Sequence, residues 1–265
     1  MFESIIVAAL AVGTSVGLPT YTQDDAPNEK QVARSVAALE KAFEAKTDDR
    51  KIGAIQAWEP VAAPATVELL VEEGLEGKSH PVAIACIEVL GNLEHEDALE
   101  SLERYLKRND KRLRSREDRA LLIPLLKAIG RHGSETSIDL LMDDVFLTPE
   151  REVVRARLMG LANIRSERSV AEICELMRKV DRRKVQPHAR EFRLALVVLT
   201  GVDRGTDLDR WGQWWNDNKK TFELPERAPK MPQDLQRRWE QYWGLERTYD
   251  RQKRRSERGD DDDRR

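Results

Sequence analysis

The chain has 265 residues, of which 35% are charged, 40% hydrophobic and 6% aromatic, and its formal net charge is −3. No apolar run reaches the roughly 18 to 20 residues that a membrane-spanning helix needs, and the hydrophobic content is too high for a wholly disordered chain. A polytopic membrane protein and a fully disordered protein are therefore excluded. The near-neutral charge supplies no global positive field for nucleic acid, which leaves only local basic patches.

The chain begins with a short apolar run, residues 5–18, followed by a polar stretch. The run is too short to span a bilayer, and Ser15 and Gly17 suit the small-residue positions before a cleavage site. We predict a signal peptide at residues 1–17, a linker at residues 18–28, and export to the periplasm or the exterior of a bacterium. The segment has no Lys or Arg near its start, so a cytoplasmic protein with an N-terminal core helix is the alternative.

Residues 29–205 carry a repeated pattern of paired helices with no convincing strand. Three segments share one plan of apolar helix, polar turn and second amphipathic helix: 80–106, 119–146 and 151–177. Apolar anchors lie 35, 39, 32 and 38 residues apart, at Ile55, Leu90, Ile129, Leu161 and Leu199. Such a period, with two helices in each unit, is typical of α-solenoids, because one helix pair cannot bury its own apolar face.

Capping and turn residues agree with these units. Ser79 or His80 can cap a helix that begins at Pro81, where the missing N–H of proline costs nothing. Gly91 and Gly130 both lie where the first helix of a unit is expected to stop and the chain to reverse. We therefore interpret the two glycines as turn residues.

The clearest unit has a proline at its start, a Leu-Gly pair at the end of its first helix, and small or apolar residues along both helices: Pro81, Ala85, Leu90, Gly91, Leu93, Ala98 and Leu102. This pattern resembles a HEAT repeat of the short bacterial type, and the resemblance covers roughly residues 50–205. The arginine that often follows the first-turn valine in this family is present at Arg155 and replaced by Ala83 in the clearest unit. The resemblance implies an all-α, right-handed superhelix that binds a partner along a surface, without identifying that partner.

Residues 206–249 hold five of the six tryptophans. We predict that they form a C-terminal cap of two helices, since a solenoid must close its last open face. Thr206 is expected to cap the first helix, with Trp211 and Trp215 on its buried face. An aromatic ligand or peptide site built from these tryptophans is the alternative. Residues 250–265 mix many charges of both signs and are expected to be a disordered tail.

No motif of a catalytic or cofactor site is present in the sequence. The HEAT-like deoxyhypusine hydroxylases hold two irons with several His-Glu pairs, whereas this chain has the single pair His95-Glu96. Cys86 and Cys174 lack the spacing of a metal site and lie within apolar helical patterns, so we predict that they are core residues. We therefore predict a protein that is not an enzyme and has no cofactor or metal ion.

The predicted function is non-catalytic protein binding along the repeat surface, with an unidentified protein partner. Two basic clusters, at 104–119 and 178–193, favour the alternative of nucleic-acid or polyanion binding, because connections of one type project from the same edge of a solenoid. The candidate polyanion contacts are Arg112, Arg114, Arg116, Arg182, Arg183 and Lys184. Acidic residues interspersed in both clusters favour a solvated edge instead. A third possibility is an accessory domain of an enzyme complex in the bacterial envelope.

Overall fold

The computed structural model describes residues 27–115, 117–146 and 150–247, and this part of the chain is all-helical with no strand. The predicted all-α class is therefore confirmed. The helices are α1 (Glu29–Phe43), α2 (Asp48–Gln56), α3 (Pro64–Leu69), α4 (His80–Leu90), α5 (Glu96–Leu113), α6 (Arg119–His132), α7 (Ile138–Met142), α8 (Arg151–Asn163), α9 (Glu167–Lys179), α10 (Arg182–Val185), α11 (Ala189–Thr200), α12 (Leu208–Asn218) and α13 (Gln233–Trp243). The predicted signal peptide at residues 1–17 and the predicted charged tail at residues 250–265 lie outside the described residues.

Five helices, α2, α4, α6, α8 and α11, form a row in which each contacts the next. The helices between them in the chain pack beside this row: α3 against α1, the π-helical segment Leu70–Leu75 that continues α3 against α4, α5 against α6, α7 against α8, and α9 against α8 and α11. One continuous apolar core runs through the stack from Leu39 in α1 to Trp243 in α13. The helices of the row thus bury their apolar faces mainly against elements close to them in the chain.

The start of α4 shows how the local sequence sets a helix boundary. Ser79 is the N-cap, and its hydroxyl accepts a hydrogen bond from the N–H of Val82, as one of the two predicted caps requires. Pro81 lies in the first turn, where its missing N–H is not needed. The helix then buries Cys86 and Leu90 completely in the core.

Gly91 is the C-cap of α4 and begins the turn after it, as predicted, whereas the prediction that Gly130 is a turn residue is wrong. Gly91 has a φ of −69°, and Gly130 lies inside α6, whose chain reversal follows at Gly133 with a φ of 67°. A Cβ atom on Gly130 would lie 2.5 Å from the Cα of Gly160, and one on Gly91 would lie 2.8 Å from the Cα of Ala128. These glycines therefore allow successive helices of the row to approach until their backbones touch.

Side chains of one unit bind the helix C-terminus of the unit before it. The ring Nε2 of His132, at the end of α6, lies 3.0 Å from the carbonyl oxygen of Leu90 at the end of α4. The side-chain amide of Asn163, at the end of α8, donates to the carbonyl of Gly130 at 3.0 Å. Carbonyls in the last turn of a helix lack partners within the helix, so each unit supplies what the preceding unit needs.

The second helix of the unit at residues 119–146 is shorter than its pattern indicates. Only Ile138–Met142 forms the α-helix α7, after a 3₁₀ turn. Arg157 of α8 is 5% exposed and donates to the carbonyls of Leu140 and Leu141 at 2.9 and 3.2 Å. Its guanidinium therefore satisfies the carbonyls left open by the early end of α7, and its positive charge suits the negative end of the helix dipole.

The first C-terminal helix, α12, packs against α9 and buries the predicted Trp211 and Trp215. Its N-cap is Asp207, whose carboxylate accepts from two backbone N–H groups, and not Thr206 as predicted. Aspartate and threonine are both good N-caps, so their adjacency in the sequence leaves the boundary uncertain by one residue. All five C-terminal tryptophans are at most 8% exposed, so no indole presents an open face to a ligand.

Candidate functional site

Two aromatic side chains hold α13 across α6 and α8. The Nζ of Lys127 and the Cζ of Arg155 each lie 5.1 Å from the ring centroid of Tyr242. The Cζ of Arg131 lies 5.7 Å from a ring centroid of Trp243, and its Nη2 lies 3.4 Å from the carbonyl oxygen of the same residue. Cations are attracted to aromatic ring faces, so these contacts hold the end of α13 against α6 and α8.

A cavity of about 280 Å³ lies beside these contacts, between α8, α11 and α13. Its lining combines four arginines and two glutamates with two apolar side chains: Arg151, Arg155, Arg190, Arg238, Glu152, Glu191, Met159 and Leu194. Because α13 contributes one of these arginines, the complete cavity depends on the position of that helix. An open, concave site lined by fixed charges is a natural place to look for binding.

The four arginines of the cavity differ in their partners. Arg151 donates to Glu191 of α11 at 2.8 Å, and Arg155 lies 3.4 Å from Glu152 of its own helix. The arginines contributed by α11 and α13 are exposed, and among the described residues neither is in an ion pair. The cavity therefore has cationic groups that are free to bind an anion.

We call the six cations on this side of the molecule the arginine face: Lys127, Arg131, Arg151, Arg155, Arg190 and Arg238. Burial lowers the pKa of Lys127, and the positive charges of Arg131 and Arg155 lower it further. The negative charge of Glu88 acts in the opposite direction. Burial lowers the pKa of Arg131 too. Like charges held together destabilise a folded protein, and such a cluster is complementary to an anionic partner.

The first group of predicted polyanion contacts is engaged within the protein. Arg112 lies 3.6 Å from Asp118, and Arg114 pairs at 3.0 Å with Asp144, which belongs to the next connection along the same edge. Arg116 lies outside the described residues. Most of the first cluster lies on α5, which extends to Leu113, rather than in a loop.

The second group is partly engaged. Arg182 binds both carboxylate oxygens of Asp209, at 2.6 and 3.2 Å, which joins α10 to α12. Arg183 and Lys184 are exposed, and within the part that the structure describes no ion pair involves them. Between the two clusters, the α7–α8 connection contributes acidic groups that bind arginines of the first cluster. The charge of the connections along this edge of the row therefore alternates between positive and negative.

The arginine face was not predicted, although part of its signal is in the sequence. Lys127 and Arg131 are four residues apart on an otherwise apolar helix, so they lie on one face of α6. Arg155 is the arginine that supports the resemblance to HEAT repeats. The arrival of Arg238 beside them depends on the position of α13, which no local pattern indicates.

Other groups with chemical potential are buried. Cys86 and Cys174 are at most 1% exposed, as predicted, and burial raises the pKa of each thiol to about 12, which keeps the unreactive protonated form. A second cavity of about 250 Å³ includes His95 and His132, which bind backbone groups at helix ends. Among the described residues, no three or more His, Cys, Asp or Glu side chains are placed to hold a metal ion. None of the described helices is both long and apolar enough to cross a membrane.

Comparisons with protein-family models and with curated proteins give no match. The resemblance to HEAT repeats therefore depends on the sequence pattern alone.

Proposed function

We propose that the protein is a non-catalytic binding scaffold whose arginine face holds a protein partner that carries carboxylates. The observation that carries this proposal is an open cavity of about 280 Å³ lined by four arginines, two of which, Arg190 and Arg238, are in no ion pair among the described residues. A surface that keeps unpaired like charges together gains stability when an anionic partner binds.

The architecture that we propose for this scaffold is a HEAT-like, right-handed superhelix. Its support is the row α2–α4–α6–α8–α11, together with hydrogen bonds that join one unit to the next across 33 and 42 residues. We propose α12 as the cap of the last pair, because it packs on α9. Stacked units of this kind present an extended surface to a partner.

We further propose that the protein is exported, on the strength of the apolar run at residues 5–18. When the full-length chain is expressed in a bacterium and the cells are fractionated, the protein is expected in the periplasmic or secreted fraction. Its intact mass should correspond to loss of residues 1–17. An uncleaved chain in the cytosol would contradict export. The protein would then have access to nucleic acid as a partner.

Nucleic-acid or polyanion binding through the two basic edges is the second candidate. Its support is the exposure of Arg183 and Lys184. The ion pairs of Arg112, Arg114 and Arg182 weaken it, because a bound polyanion would have to replace the carboxylates that these arginines already hold.

The two candidates predict different sensitive residues. In the double variant Arg190→Gln/Arg238→Gln, affinity for an acidic peptide of alternating Glu and Leu should fall about tenfold or more, because two charge-assisted contacts are lost. Fluorescence anisotropy of the labelled peptide measures this affinity. The matched control Arg183→Gln/Lys184→Gln removes two exposed charges from the edge and should leave peptide affinity within about twofold.

The same variants test the polyanion candidate with a short DNA duplex as the probe. If the duplex binds, if its affinity falls steeply with salt, and if only the edge variant weakens it, polyanion binding is the correct function. A peptide that fails to bind the wild-type protein at low salt contradicts the proposed function of the arginine face.

A further inference from the structure

The helix α13 supplies one wall of the cavity and is connected to the rest of the protein by a long segment. Residues 219–232 join it to α12, and most of them are exposed. Arg165 donates to the carbonyl of Pro225 at 2.6 Å, which ties down the middle of this segment. At the start of α13, Arg193 lies 3.7 Å from Asp234. At its end the helix contacts α6 through the rings of Tyr242 and Trp243 and through the carbonyl of Trp243.

The contacts at the end of α13 satisfy some groups and leave others unsatisfied. The rings of Tyr242 and Trp243 accept cations, but the Tyr242 hydroxyl and the Trp243 indole Nε1 are buried, and within the described residues neither has a hydrogen-bond partner. A buried polar atom without a partner costs free energy relative to its hydrated form. Docking of α13 is therefore a balance between burial with cation–π attraction and the cost of these two atoms.

Docking also brings like charges together. Arg238 of α13 enters a cavity that already contains arginines from α8 and α11, among them the exposed Arg190. The two exposed arginines belong to different helices, and the carboxylates of Glu152 and Glu191 line the same cavity. An anion bound by both exposed arginines would attract α13 toward α11 and favour the docked helix.

We infer that α13 completes a carboxylate-binding pocket, and that the bound carboxylate holds α13 in place. The carboxylate lies between Arg190 and Arg238, and it comes from an acidic side chain of the protein partner. This inference rests on the proposed function and adds the location of the contact and its coupling to a helix of the protein itself. Because the pocket is complete only when α13 is docked, ligand binding and docking must strengthen each other.

The test measures amide hydrogen exchange of the full-length protein with and without the acidic peptide of alternating Glu and Leu. At a peptide concentration about ten times its Kd, exchange of the α13 amides should slow about tenfold, because the peptide binds only the docked state. Exchange of the α4 amides should not change. In Arg190→Gln this protection should be lost, whereas in the control Arg183→Gln it should be retained.

The variant Tyr242→Phe tests the coupling from the opposite direction. It keeps the ring that Lys127 and Arg155 contact and removes the buried hydroxyl that lacks a partner. Without peptide, exchange of the α13 amides should be slower in this variant than in the wild-type protein. Peptide affinity should also rise, because only molecules with a docked α13 bind, and the variant has fewer undocked molecules. An unchanged rate at α13 together with weaker binding would overturn the coupling.

The outcomes separate this inference from the proposed function. If the peptide binds and Arg190→Gln/Arg238→Gln weakens it, but α13 exchange does not respond, the coupling is wrong and the proposed function remains. If the peptide does not bind, both are wrong. Inorganic phosphate is the second probe, since its oxygens also fit an arginine fork. If phosphate protects the α13 amides from exchange and the peptide does not bind, the ligand is a free oxyanion and not a carboxylate of a protein partner.

Discussion

The variant Gly130→Ala is expected to lower the free energy of unfolding by about 3 kcal/mol or more, the upper range for overpacking in a core. The added Cβ would lie 2.5 Å from the Cα of Gly160 and 3.4 Å from its backbone nitrogen. No change of side-chain rotamer relieves a clash with backbone atoms, so α6 and α8 must separate. Their separation loosens the apolar core on both sides of the junction.

Urea denaturation of Gly130→Ala against the wild-type protein measures this effect. The matched control is Gly53→Ala in α2, where a Cβ would meet no atom within 4 Å. Alanine is more favourable than glycine inside a helix, so the control should raise the free energy of unfolding by up to about 1 kcal/mol. Equal stability of Gly130→Ala and the wild-type protein would show that the two helices are not in backbone contact.

The second large effect is expected for Trp211→Ala, which should cost about 4 kcal/mol of unfolding free energy. The Trp211 side chain is fully buried, its indole N–H donates to the carbonyl of Gly205 at 2.9 Å, and its ring meets that of Trp214 edge to face at 5.7 Å. Trp215→Ala should cost about 3 kcal/mol, the lower end of the range, because Trp215 is 7% exposed.

The control Trp211→Phe keeps most of the apolar volume and removes the indole N–H. It should cost about 1 to 2 kcal/mol less than the alanine variant, because a ring still fills the site. Thermal unfolding of the three variants measures the series. A melting temperature that does not change in Trp215→Ala would show that this aromatic cluster is exposed, and would restore the hypothesis of an aromatic ligand site.

Local patterns predicted much of the helical framework. The periodicity placed paired helices around Leu90, Ile129 and Leu161, and capping chemistry identified Ser79. The role of Gly130 was misassigned for a physical reason. A turn glycine and a contact glycine look alike in one sequence, since the atom that excludes a side chain at Gly130 belongs to a residue 30 positions further along the chain.

The candidate site was predicted less well, because its charges are paired across units. The sequence places Arg114 four residues after Asp110, which it binds at 2.7 Å, but its second partner Asp144 and Asp209, the partner of Arg182, lie 30 and 27 residues away. Conversely, Arg190 and Arg238 are separated by α12 and the segment after it, and they line the same cavity only because α13 folds back. Charge counts along a chain therefore overestimate the free cations at the edge, and they do not show that Arg190, from the second basic cluster, and Arg238 line one cavity.

The junctions between successive helices of the row have different chemistry, and this restricts how such a chain can evolve. Between α4 and α6, Gly91 meets Ala128 and a histidine binds the helix end, whereas between α6 and α8 two glycines meet and an asparagine takes that role. A duplicated unit would have to match an unlike neighbour on at least one side. The protein is therefore expected to change its length at its ends and connections, and to retain the number and order of its central units.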